Sequence, residues 1–77
     1  MRRFSDEHGG IWDAVVGRES WGTLYALFIP AGATAARPVR QALLRSVGYE
    51  QAQQELDAMD DAALRALLQA AEPREPR

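Results

Sequence analysis

Cysteine, lysine and asparagine are all missing from the 77 residues. Without cysteine there is no disulfide, no thiolate nucleophile and no cysteine-ligated metal, and nothing marks an oxidising compartment. Without lysine, Schiff-base chemistry is excluded. All nine basic residues are arginine, and with the frequent alanine this reads as a GC-rich coding sequence more than as a functional signature. Long apolar runs are also lacking. The longest spans six residues, far short of the roughly 20 that cross a bilayer. The opening Met1-Arg2-Arg3-Phe4-Ser5-Asp6 is basic but runs into acidic residues with no apolar stretch, unlike a signal peptide. The expected location is cytoplasmic, with no membrane association.

Charge of one sign is scarce too. The net charge is −2. Residues 1–45 hold six arginines against four acids, and residues 46–77 hold three against seven. A general nucleic-acid binder would concentrate its basic charge on one surface, so nucleic acid is not the expected partner. A chain this short makes one domain and buries only roughly 60–65% of its unfolded surface. Association is one of the usual remedies for so small a core.

What is present is a two-sided apolar segment, Leu24-Tyr25-Ala26-Leu27-Phe28-Ile29. Alternation places Leu24, Ala26 and Phe28 on one face of a strand and Tyr25, Leu27 and Ile29 on the other. A strand greasy on both faces requires cover on both.

The rest of the chain supplies cover for one. Arg2 to Asp6 suits a short first strand, and Asp6-Glu7-His8-Gly9-Gly10 a turn. Ile11 to Val16 reads as a second strand, with Trp12, Ala14 and Val16 on one face and Ile11, Asp13 and Val15 on the other. Gly17 to Gly22 suits a hairpin loop leading into a third strand, Thr23 to Ile29, which Pro30 ends. Ala31 to Arg37 is small and featureless, a flexible connection. Pro38 to Arg45 fits period two as a fourth strand, the favoured reading because it would shield an edge of the third. It also fits a helix started by Pro38. After Gly48, Tyr49, Ala52, Leu56 and Met59 share one helical face. Asp60 then caps a second helix, with Asp61 at the positive end of its dipole and Met59 stapled on Leu64. Leu64, Leu67, Leu68 and Ala71 form its buried stripe. Pro73 and Pro76 stop it. The expected fold is therefore α+β: an antiparallel sheet of three or four strands followed by two C-terminal helices packed on one face. Residues 1–72 form a single domain and residues 73–77 a disordered tail.

Candidate chemistry is thin. His8 beside Asp6 and Glu7 is a solvated turn, because three nearly adjacent residues do not converge as metal ligands or as a general base. Asp60 and Asp61 are explained by capping, and no glycine-rich phosphate loop is present. Trp12 alternates with Val16 as a core residue, whereas Trp21, between Ser20 and Gly22, suits either a fold-back over the sheet edge or an exposed anchor for a partner. No enzyme activity, cofactor, metal ion or small-molecule substrate is expected. The expected function is a non-catalytic interaction or regulatory module, a homodimer or the subunit of a protein partner, docking through Val15, Tyr25, Leu27 and Ile29 with Trp21 as anchor. Ile11 belongs to the same face. The alternative is single-stranded nucleic-acid binding on the sheet, with Trp21 and Tyr25 stacking on bases and Arg18, Arg37, Arg40 and Arg45 meeting phosphates.

Overall fold

A computed structural model describes residues 2–18 and 22–74. Five strands and two helices follow in order: β1 (Arg2–Ser5), β2 (Ile11–Arg18), β3 (Leu24–Ala31), β4 (Arg40–Leu43), α1 (Tyr49–Asp57), α2 (Asp61–Ala70) and β5 (Glu72–Pro73). The strands form one antiparallel sheet whose spatial order is their chain order. An α+β fold with the sheet first and the helices after it is thus observed, with five strands instead of three or four.

The sheet is built on the β2–β3 ribbon, eight residues against eight, with Ile11 opposite Ala31 and Arg18 opposite Leu24. Both strands are rich in β-branched and aromatic side chains, which favour a pleated surface. The turn into β2 is organised by Asp6. Its Oδ1 accepts the amide protons of His8 (2.8 Å) and Gly10 (2.7 Å), while Gly9 takes φ +81°, open to glycine at little cost.

Pro30 does not end β3. It lies inside the strand, opposite Trp12. The reason is the side its nitrogen faces. Leu24 O accepts from Leu44 N (3.1 Å), so alternation turns the polar groups of positions 24, 26, 28 and 30 toward β4. β4 begins at Arg40, opposite Phe28, so no ladder bond is asked of position 30.

The connection after β3 is more ordered than its composition implies. Gly32–Thr34 forms a 3-10 turn, and Thr34 is buried with its Oγ1 accepting the Ile11 amide at 2.9 Å. The ambiguous stretch that follows is a strand, Arg40–Leu43, paired with β3 from Tyr25–Leu43 to Phe28–Arg40.

Both helices pack on one face. Phe4, Trp12, Ala14, Val16, Leu24, Ala26 and Phe28 meet Ala52, Leu56, Leu64, Leu68 and Ala71 in a single core, with Met59 and Leu67 at its rim. Phe4 and Phe28 contribute an edge-to-face pair, centroids 5.9 Å apart. Tyr49, grouped with this stripe by spacing, is instead half-exposed. Asp60 caps α2 as expected, its Oδ1 accepting from Ala63 N at 2.8 Å. Arg2 clamps the helix junction. Its Nη1 donates to the carbonyls of Asp57 (3.0 Å) and Met59 (2.9 Å), and its Nη2 lies 3.5 Å from Asp61.

After α2 the chain rejoins the sheet. Glu72 and Pro73 pair with Gln41 and Arg40, and Arg74 N donates to Val39 O at 2.7 Å. Proline is tolerated there because the strand is an edge. Residues 75–77, the remainder of the expected tail, lie outside the described residues.

Candidate functional site

The pairing register divides every strand into two sets. One set, even-numbered in β1 to β4, faces the helices. The other is carried by Arg3 and Ser5, by Ile11, Asp13, Val15 and Gly17, by Tyr25, Leu27 and Ile29, and by Gln41 and Leu43. The molecule measures 32 × 31 × 19 Å, the thickness of one sheet and one helix layer. Among the described residues no element lies over the odd-numbered face.

That face carries an apolar diagonal. Val15 stands opposite Leu27, and Tyr25 opposite Leu43, with Ile29 and Ile11 continuing toward the β1 end. Ile29 remains 40% exposed and Leu43 67%, while Val15, Tyr25 and Leu27 are half-buried. The half-burial comes from neighbours in the same sheet. Gly17 makes room for it, since a Cβ there would come within 2.6 Å of Leu27 Cδ1, so the leucine lies flat across β2. Where the diagonal reaches the β4 edge it opens into a shallow cleft of about 340 Å³, lined by Tyr25, Gln41, Leu43, Leu67 and Glu72 among others.

The charged pair on the β1–β2 part of the face is self-contained. Arg3 grips Asp13 with both prongs, Nε to Oδ1 at 2.8 Å and Nη2 to Oδ2 at 3.0 Å. Asp13 is 9% exposed beneath it. The hydrogen bonds from Arg3 hold the Asp13 carboxyl below the usual carboxylate range, burial pulls the other way, and the Arg3 charge lowers it further. Arg3 in turn is raised by the same bonds.

Val15, Tyr25, Leu27 and Ile29, grouped from alternation alone, are therefore brought together on one open face. Trp21, their proposed anchor, lies outside the described residues. Leu43 was not in that group and belongs to it, because the β3–β4 register aligns it with Tyr25. Of the four arginines, Arg37 and Arg40 line one cavity on the helix side of the sheet, and Arg18 and Arg45 stand apart from it. Arg18 ends β2 and Arg45 is exposed after β4. Arg37 stands 3.8 Å from Asp6, and Arg40 lies in the set facing the helices, bonded to Ala71 O at 2.6 Å. They do not share the surface that carries Tyr25. His8 is exposed in its turn, and no group of three potential metal ligands occurs among the described residues.

No protein-family model, curated protein or solved structure matches this chain. The functional reading rests on the face itself.

Proposed function

We propose that this protein is a non-catalytic interaction module that pairs with a second copy of itself through the odd-numbered face of its sheet. The observation that carries the reading is the apolar diagonal of Val15, Tyr25, Leu27, Ile29 and Leu43, half-buried to exposed, on a sheet that its two helices cover from one side only. Contiguous exposed apolar surface rimmed by polar groups marks an interaction site.

The face suits its own copy in charge and in size. Arg3 and Asp13 neutralise each other, so a rotated copy brings no unpaired like charge against it. Two eight-residue and two four-residue strands, at about 3.3 Å per residue and about 4.8 Å apart, give about 380 Å² per copy. Two copies bury about 760 Å², the size of a weak, reversible contact and below the roughly 1,000 Å² of a stable interface. If about two-thirds of that is apolar, the burial is worth about 13 kcal/mol at 25 cal/mol per Å². Association entropy removes about 4–15 kcal/mol of it. The balance is at most about 9 kcal/mol, a dissociation constant on the order of micromolar at its tightest. Sedimentation velocity from low micromolar to submillimolar protein tests the reading. The expected result is a weight-average sedimentation coefficient that climbs from that of the monomer toward that of a dimer. A monomer at every concentration rejects it.

A further inference from the structure

On the helix side of the sheet, away from the open face, a cavity of about 170 Å³ is lined by Asp6, Glu7, His8, Trp12, Arg37, Arg40, Arg65, Leu68 and Gln69. Three arginines reach it from three separate parts of the chain: the loop before β4, β4 itself and α2. Arg37 has the Asp6 carboxylate at 3.8 Å. Arg40 and Arg65 have none within 4.0 Å among the described residues. Arg40 Nη2 donates to Ala71 O at 2.6 Å, and Arg65 Nε donates to Ser5 O at 2.7 Å. Carbonyl oxygens satisfy single N–H groups but leave both positive charges without a counterion. Moreover, Arg40 Nε is buried and has no acceptor among the described residues. A buried guanidinium nitrogen left unpaired is costly and calls for an explanation.

The two carboxylates of the lining are already engaged. Asp6 Oδ1 takes two backbone amides, and its Oδ2 accepts the Trp12 indole N–H at 2.8 Å. The Trp12 bond is the main reason its carboxyl stays below the usual range. Glu7 Oε1 accepts from Gln69 Nε2 at 2.8 Å. Among the arginines and acids of the lining, three against two leave a formal +1.

We propose that this cavity binds a tetrahedral oxyanion, a phosphate or phosphomonoester group, held by Arg40 and Arg65 with Arg37 at the mouth. The guanidinium is planar and pairs its N–H groups with phosphate oxygens in parallel. Three guanidiniums delivered by a loop, a strand and a helix, with the N–H groups that remain beyond the bonds to Ala71 and Ser5, match an anion with three or four acceptor oxygens better than a planar carboxylate with two. The volume sets the size class. It is below the roughly 300–1,000 Å³ of sites for drug-sized ligands, which leaves room for the oxyanion and a short stem but not for a nucleotide.

Trp12 provides the reporter, because it lines the cavity and its indole N–H is bonded to Asp6, another lining residue. Isotope-labelled protein is titrated at constant ionic strength with sodium phosphate, O-phosphoserine, sodium acetate and sodium chloride. The two indole signals are told apart with Trp21→Phe. The expected result is a saturable shift of the Trp12 indole signal with a dissociation constant of about 1 mM or tighter for phosphate or phosphoserine. Tighter binding of phosphate identifies the free ion, and tighter binding of phosphoserine identifies a phosphomonoester on a larger molecule. Arg65→Gln and Arg40→Gln, each confirmed folded by its thermal transition, should weaken binding about tenfold or more. Arg45→Gln, on an exposed loop, should not. If Arg40→Gln fails to fold, Arg65→Gln alone decides. Phosphate shifts that merely parallel chloride, acetate binding as tight as phosphate, or unchanged affinity in Arg65→Gln each overturn the assignment.

Discussion

Leu27→Asp concentrates the proposed pairing into one substitution. Leu27 is half-buried in the single chain, lying over Gly17 and opposite Val15 at the middle of the open face. Full burial of a leucine is worth about 1.5–3 kcal/mol, so the part left for an interface is about 1 kcal/mol per copy. Symmetry doubles it. The aspartate also places a carboxylate in each half of the contact, where burying a charge without a partner costs several kcal/mol. The sum is at least about 5 kcal/mol, more than about 10³-fold in the dissociation constant. A micromolar dimer would then become undetectable below millimolar protein. Folding of the single chain should lose only about 1 kcal/mol, because the new side chain still reaches water there. The assay is sedimentation velocity on wild type, Leu27→Asp and Arg45→Glu, with a thermal melt of each. Wild type and Arg45→Glu should self-associate alike, and Leu27→Asp should remain monomeric while folded. A folded Leu27→Asp that sediments like a dimeric wild type refutes the use of this face.

Three further outcomes concern the fold that holds the site. Leu56→Ala removes a side chain with no exposure at the centre of the core and should cost about 2–5 kcal/mol. Against a total of about 4–12 kcal/mol for a chain of this length, its urea midpoint should fall by a large fraction. Asp60→Ala deletes the cap on Ala63 N and should lower stability by about 1 kcal/mol in the same assay; no change would mean the cap is redundant. Asp6 and Asp13 both have carboxyls lowered in the fold, so their stabilisation is complete above the ordinary aspartate value of about 3.9 and disappears as pH falls through the folded values. Thermal midpoints should therefore drop below about pH 4, and Asp6→Asn should melt lower at neutral pH yet decline less steeply in acid; parallel curves for the two proteins would contradict the Asp6 assignment.

The parts of the structure that were legible in the sequence are those whose signals are local and periodic. Alternation in residues 11–16 and 24–29 places Trp12 and Phe28 inward and Val15 and Leu27 outward, as observed. The 3.6-residue stripe and the Asp60 cap locate both helices. What escaped depends on partners distant in the chain. Glu72–Pro73 is too short to have a period, and only its register with β4 makes it a strand. Pro30 reads as a breaker unless the side on which its nitrogen lies is known. Thr34 is an ordinary loop residue until the Ile11 amide, 23 positions away, needs an acceptor. The same holds for the sites. The open face could be assembled from alternation within two strands, apart from Leu43, which requires the β3–β4 alignment. The meeting of Arg37, Arg40 and Arg65 has no sequence spacing to announce it, because a loop, a strand and a helix deliver one residue each.

The two margins of the sheet differ sharply from its open face. β1 offers four residues with the cations of Arg2 and Arg3, and β5 offers two, one of them a proline with no amide proton to donate. Neither is a template for another strand. Growth by lateral addition, the route to fibrils, is thus discouraged along β1 and β5. Two copies stacked across the sheet would cover the apolar face of each and turn their helices outward. Such an assembly is self-limiting and terminates at a pair.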